Sequence, residues 1–424
     1  MTAQSERVAA ALAAKDSRRL DGVDLLRGLS ILLVVVHHLA LRIPLRDGWL
    51  ETVLPRRFLG TLMYNGYEGV FVFFVISGFL IAGNAIARWG SLARIDPGTF
   101  YALRAARILP SLVLVVAVLS VLHLAGVPFH VIDREGQSLG RAILAVAGLH
   151  LNWYEGRTGY LPGGWDVLWS LSIEEAFYLA FPVVCLLLRR QALLVAVLAV
   201  LALSLPWTRA ALVGNEIWQE KAYLPGMAAI AAGVLAALAA ARWPRVPRAL
   251  MIALALLGSV GLAATLLFGY LLWPLLRDGT VLVLTLSTAS LVLALSWEAR
   301  TGGARPPRGL GWLRAMGRRS YEIYLTHMFV VFGVVAVFQA TGAGTYWGFL
   351  WHLPTLLLAW ALGELLACAW SDPLNTLLRA RWRARNATGV PGPAATGEAA
   401  AGSGPSSNGI IAASPVPEPA GPRA

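Results

Sequence analysis

The sequence predicts an all-α, polytopic membrane bundle of about ten transmembrane helices. Three observations predict it. Of 424 residues, 57% are hydrophobic and only 14% are charged, against about 25% charged in an ordinary soluble domain. Apolar runs long enough to span a bilayer cover most of the chain. The basic residues then distribute between the intervening loops as a membrane topology requires. This composition excludes a disordered chain, and it reads against a soluble globular one. The 42 Gly and 23 Pro agree with membrane helices, which tolerate both.

A span needs about 20 mostly apolar residues. Such runs lie at 24–43, 68–87, 106–125, 166–188, 191–208, 223–241, 249–268, 280–297, 320–338 and 347–370. The apolar stretch 141–151 is too short to cross and reads as a re-entrant or interfacial segment. With the N-terminus in the cytoplasm, 25 of the 35 Lys and Arg fall on the cytoplasmic side. Counting 141–151 as a span would turn every later basic loop outward. The positive-inside rule therefore predicts ten spans in the cell (inner or plasma) membrane with both termini cytoplasmic. The exception is loop 42–67, which carries Arg42, Arg46, Arg56 and Arg57 on the outside. Residues 1–23 are expected as a cytoplasmic N-terminal segment, 24–370 as the membrane domain and 371–385 as a basic cytoplasmic segment. Residues 386–424, rich in Ala, Gly, Pro and Ser, are expected as a disordered tail.

The net charge of +12 would suggest nucleic acid in a soluble protein. In a membrane protein it is read as positive loops beside lipid headgroups, with no nucleic-acid partner. The two cysteines, Cys185 and Cys368, lie in apolar runs and exclude a disulfide framework or a cysteine metal site. No metal-binding, phosphate-loop, dinucleotide or serine-elbow motif is present, so no metal is expected.

Ionisable groups inside spans are costly, and each is a functional candidate. Arg27 and His38 share a face of the first span, eleven residues apart, with His37 adjacent. Histidine accepts and returns protons near neutral pH, although a histidine can also serve as a hydrogen bond between helices. In the fourth span Ser170, Glu174 and Tyr178 recur every four residues as a polar stripe. An interfacial acidic pair beside an aromatic belt is the competing reading. In the ninth, Ser320, Tyr324 and His327 share a face, with Tyr321 and Glu322 alongside. This stripe should face the bundle interior, either as interhelical bonding or as a site. Arg104 and Arg107, just before the third span, read either as membrane anchors or as a phosphate clamp.

Five segments in order resemble the acyltransferase-3 family of integral-membrane O-acyltransferases. They are Leu20-Asp21-Gly22…Leu26-Arg27-Gly28…His38, GVFVFFVISGFLI at 69–81, FYALRAARILP at 100–110, WSLSIEEAFY at 169–178 and SYEIYLTH at 320–327. The resemblance covers roughly 20–370. Two departures stand out. Val23-Asp24-Leu25 is inserted before Leu26-Arg27-Gly28, and Phe71 stands where many relatives carry an acidic residue.

The resemblance implies transfer of an acyl group, with acetyl expected, from acyl-coenzyme A. The acceptor would be a hydroxyl of a cell-envelope glycan, lipid or secreted small molecule. Carried over, His38 is the expected base and Arg27 its companion, and Arg104 and Arg107 are the expected donor contacts. Glu174, Tyr321 and His327 belong to the central site. Measured from the helix starts, His38 should lie about 20 Å deep and His327 about 10 Å, at 1.5 Å per residue. The expectation is a staggered path along which coenzyme A threads past His327 toward His38. A proton-coupled transporter is the rival class, since buried His, Glu and Arg also build proton relays. A scaffold role would leave the polar stripes without a reason.

Overall fold

The computed structural model describes residues 20–46, 48–301 and 309–387. The expected N-terminal segment and C-terminal tail therefore lie almost wholly outside the described residues. The chain divides into two units, 1–381 and 382–424. In the second, only 382–387 are described, and they are helical. Among the described residues there are helices and turns but no β-strand.

Among the described residues ten apolar helices build the bundle: α1 (Asp21–Ala40), α2 (Gly66–Trp89), α3 (Pro97–Leu124), α4 (Trp169–Leu187), α5 (Gln191–Leu203), α6 (Tyr223–Arg242), α7 (Arg248–Leu276), α8 (Gly279–Arg300), α9 (Ser320–Thr341) and α10 (His352–Leu366). Among the described residues nine helical stretches are long and apolar enough to cross a membrane. The expected span at 191–208 falls on α5, which is shorter than these nine. It continues through Ser204 into a second short helix, Leu205–Ala210. The chain is a multi-pass membrane protein. Leucines of α7 and α10 are exposed on its outer surface, as expected of helices that meet hydrocarbon.

Helix starts differ from the apolar runs where a cap lies upstream. The expected third span begins at 106, but α3 begins at Pro97. Asp96 caps it by accepting from Thr99 N at 2.8 Å, and proline fits the first helical turn. The Thr99 hydroxyl and backbone N–H also hold the Asp96 carboxyl below its ordinary range. Arg104 and Arg107 therefore ride on a rigid helix. The stretch 141–151 forms no span. It is the nine-residue helix Leu139–Ala147, stopped by Leu149 in a left-handed conformation (φ 57°) and followed by Leu151–Thr158. That second helix is tied down by a buried ion pair. Glu155 meets Lys221 Nζ at 3.0 Å, and Lys221 also bonds Asp166.

Small residues let the helices touch backbone to backbone. A Cβ on Gly78 of α2 would lie 1.9 Å from Ile230 O of α6, and one on Gly233 of α6 would lie 1.9 Å from Val75 O of α2. The helix Gly311–Arg318 meets α1 in the same way. A Cβ on Gly28 would lie 2.0 Å from Leu313 O, and one on Gly317 would lie 1.8 Å from Asp24 O. Alanine normally favours a helix over glycine by about 1 kcal/mol. At these positions the clash is with backbone and cannot be relieved by a rotamer. Gly28→Ala and Gly317→Ala should each destabilise by about 1–3 kcal/mol. Thermal unfolding in detergent checks this, and an unchanged or raised Tm would contradict the close packing.

Candidate active site

A cavity of about 250 Å³ lies among α1, α2, α3, α4 and α9. Arg27 reaches it from α1, and Arg104 and Arg107 from α3. All three members of the α4 stripe, Ser170, Glu174 and Tyr178, line it, as do Ser320, Tyr321 and Tyr324 of α9. Nine of the residues singled out in the sequence thus share one chamber. The polar stripes face inward because the alternative is lipid.

Glu174 Oε1 accepts from the Ser77 hydroxyl of α2 at 2.9 Å. Ser170 Oγ lies 2.8 Å from Tyr324 Oη, which donates to Val167 O at 2.8 Å. Arg27 is held by Asp24 one turn earlier, at 3.6 Å, so the inserted Val23-Asp24-Leu25 supplies the partner of that arginine.

The two arginines of α3 differ in their partners. Arg107 is paired with Glu322, which is fully buried, at 2.6 Å and 3.3 Å to its two oxygens. Ser371 Oγ also donates to Glu322 at 3.0 Å. Arg104 instead lies over the Tyr178 ring, 3.8 Å from its centroid, and its buried Nε makes no hydrogen bond. The expected two-arginine clamp is therefore asymmetric, because Arg107 is already held by a carboxylate and Arg104 is not.

The histidines form a separate cluster. The rings of His38 and His327 lie 5.0 Å apart and that of His37 lies 5.1 Å from His38. Each Nδ1 faces a backbone carbonyl. His38 meets Val34 O at 2.8 Å, His327 meets Tyr324 O at 2.7 Å and His37 meets Met63 O at 2.6 Å. A carbonyl only accepts, so each Nδ1 carries the proton and each neutral Nε2 keeps its lone pair. His327 Nε2 is buried without a partner. Tyr324 joins the cluster to the chamber, with its ring 5.8 Å from His327 and its side chain on the cavity wall.

The expected stagger of His38 and His327 does not occur. Depth was counted from the two helix starts as if these lay level. The glycine contact sets the register instead. Gly317 packs beside Gly28, and His327 and His38 each follow ten residues later in the chain. The two imidazoles therefore meet.

An acyltransferase-domain family profile matches residues 20–369. The chain belongs to the acyltransferase-3 family. It is similar to the O-acetyltransferase OatA of Staphylococcus aureus strain NCTC 8325, with 29% identity over 178 residues. A putative O-acetyltransferase of S. aureus strain COL is 29% identical over 175 residues. These matches cover 39% and 40% of this chain, and the chain spans about a quarter of the length of the relatives. No solved structure matches.

Within this acyltransferase domain several groups that line the chamber or bond to its lining had no assignment from the sequence. Glu322 stands two residues from Ser320, about 200° around the helix at 100° per residue, so the stripe pattern passed over it. An acidic residue at the start of an apolar span was the available signal. Ser77 and Asn84 sit singly in an apolar run with no periodic partner. Glu175, with one buried oxygen lacking a hydrogen bond, neighbours Glu174 and lines the same chamber. Among the described residues no group of three His, Cys, Asp or Glu could hold a metal ion.

Proposed function

We propose that this protein transfers an acyl group, acetyl in the simplest case, from acyl-coenzyme A to a hydroxyl-bearing acceptor of the cell envelope. The observation that carries the reading is the pair of imidazoles with free Nε2 atoms beside a polar chamber. In the reaction the His38 Nε2 takes the acceptor's hydroxyl proton as the oxygen attacks the thioester carbonyl. The carbon–sulfur bond breaks, and the imidazolium returns the proton to the departing thiolate. His327, in ring contact with His38, positions it, and Arg27, Glu174 and Tyr321 shape the chamber.

The donor side is supported by a second cavity of about 410 Å³ that shares Arg104, Arg107 and Asn84 with the chamber. Arg88, Trp89, Phe100 and Arg379 also line it. Arginines suit phosphates and aromatic faces suit an adenine ring. Coenzyme A would keep its nucleotide there and pass its arm through the chamber toward Tyr324 and the histidines. With the basic loops cytoplasmic, that cavity opens to the cytoplasm and both termini lie inside. Such an enzyme would move the acyl group toward the outer face of the cell membrane while coenzyme A stays inside.

Calorimetric titration of detergent-solubilised protein with acetyl-coenzyme A tests the donor. Saturable binding is expected, weakened about tenfold by Arg104→Gln, the loss of one charge-assisted contact. Folded wild type that binds no acetyl-coenzyme A would sink the donor assignment. Proton flux in vesicles without coenzyme A would favour the transporter class.

A further inference from the structure

A third cavity, of about 790 Å³, lies away from this chamber. It is walled by the loop after α1, the short helix Arg56–Tyr64, the first turn of α2, and α7 and α8. Three of the four basic residues of loop 42–67 that break the charge rule are here, while Arg42 donates to His38 O instead. Arg46, Arg56 and Arg57 line it with Tyr64, Tyr270 and Trp273. The Arg57 guanidinium donates to Tyr270 Oη at 2.9 Å and lies 4.8 Å from that ring's centroid. Arg46 donates to Tyr64 Oη and lies 5.0 Å from its ring. Glu51 offsets Arg56 at 3.1 Å. Two lining polar atoms are buried without hydrogen bonds: Glu68 Oε2 and Thr280 Oγ1.

The wall formed by α7 is largely apolar. α7 leaves helical geometry at Phe268 (φ −126°, ψ 20°), where Asn65 Nδ2 donates to Leu266 O at 2.8 Å. Beyond the kink Phe268, Tyr270, Leu271 and Trp273 are exposed. Cations set on aromatic rings attract an anion, since Arg matches phosphate bidentately. The orphaned carboxylate oxygen and hydroxyl ask for donors and acceptors that a bare phosphate does not offer. An apolar wall outside asks for hydrocarbon.

We propose that this cavity binds an amphiphile whose head group carries a phosphate together with free hydroxyls. The phosphate meets Arg46 and Arg57, a hydroxyl donates to Glu68 and accepts from Thr280, and the acyl chains lie along α7. The site stands apart from the histidine cluster. Met63 O, on the short helix that forms part of its wall, accepts a hydrogen bond from His37 Nδ1 at 2.6 Å. The inference does not depend on the transfer chemistry, because it is read by binding alone.

The test uses the full chain, delipidated in detergent and examined by native mass spectrometry and thermal shift. The probes are dioleoyl phosphatidylglycerol, phosphatidylcholine and phosphatidylmethanol, the last an anionic lipid without hydroxyls. Phosphatidylglycerol should be retained and should raise Tm, whereas phosphatidylcholine should not. Arg46→Gln/Arg57→Gln, at positions that are not in the core, should weaken retention about tenfold or more. Wild type should prefer phosphatidylglycerol over phosphatidylmethanol several-fold, and Glu68→Leu should erase that preference. Equal retention of phosphatidylcholine, or unchanged binding by the double arginine variant, would overturn the site. Displacement by water-soluble glycerol 1-phosphate at the concentration at which the lipid binds would show that the hydrocarbon contributes nothing and overturn the amphiphile.

Discussion

His38→Ala should lower acyl transfer by about 10²–10⁴-fold, the usual contribution of a positioned general base. That is about 3–5 kcal/mol of transition-state stabilisation. Affinity for acetyl-coenzyme A should stay near wild type, because the donor's phosphates are expected at Arg104 and not at the histidine. His38 is half-buried at the end of α1, so its truncation should leave Tm almost unchanged. His327 is fully buried, and alanine there would leave a void. His327→Gln keeps volume and polarity and is the cleaner probe. It should slow transfer and shift the pH–rate profile, since it acts through His38.

Two chemistries at His38 separate kinetically. Direct attack predicts that no thiol is released before acceptor is added. An acyl-histidine intermediate predicts one equivalent of thiol released in a rapid first phase. Full transfer activity in His38→Ala would remove the histidine cluster from the mechanism altogether.

Arg107→Ala should destabilise the protein strongly, by about 3–5 kcal/mol. The cost arises from what remains. Glu322 is fully buried and its other partner is the Ser371 hydroxyl. Removing the arginine leaves a desolvated carboxylate to be ionised without compensation or protonated. The reverse change, Glu322→Ala, should cost less, because the Arg107 side chain is 26% exposed and can find water. Arg107→Gln/Glu322→Gln should recover most of the loss by restoring a neutral hydrogen-bonded pair. Melting curves of the four proteins in detergent provide the check. If Arg107→Ala were no less stable than Glu322→Ala, the burial asymmetry would not be what holds the pair. The comparison also separates fold from function, since a variant that binds no donor because it is unfolded says nothing about phosphate recognition.

Some of the site was legible because lipid enforces a simple rule. A Ser, Glu and Tyr repeated every four residues in α4 are costly against hydrocarbon, so spacing put them on one face, and the structure turns that face to the chamber rather than to the interface. Arg27 and Tyr324 followed in the same way. Glu322 escaped because its partner, Arg107, is 215 residues away and shares no periodicity with it. The third cavity was visible only as basic residues in the wrong loop. One of its walls is the kinked α7, whose Tyr270 meets Arg57, and no local pattern around Phe268 announced the kink.

The sequence by itself determined that the chain is a helical membrane protein, where most of its spans lie, and the family to which it belongs. Length, hydropathy and ordered motifs are local properties, and a bilayer converts them directly into helices. Only the tertiary structure decided that His38 and His327 touch, that Arg107 is already occupied and Arg104 is not, and where the stray arginines gather. Each of these depends on the level at which one helix meets another. That level is set by backbone contacts such as Gly28 with Leu313 and Gly317 with Asp24, whose partners are hundreds of residues apart in the chain.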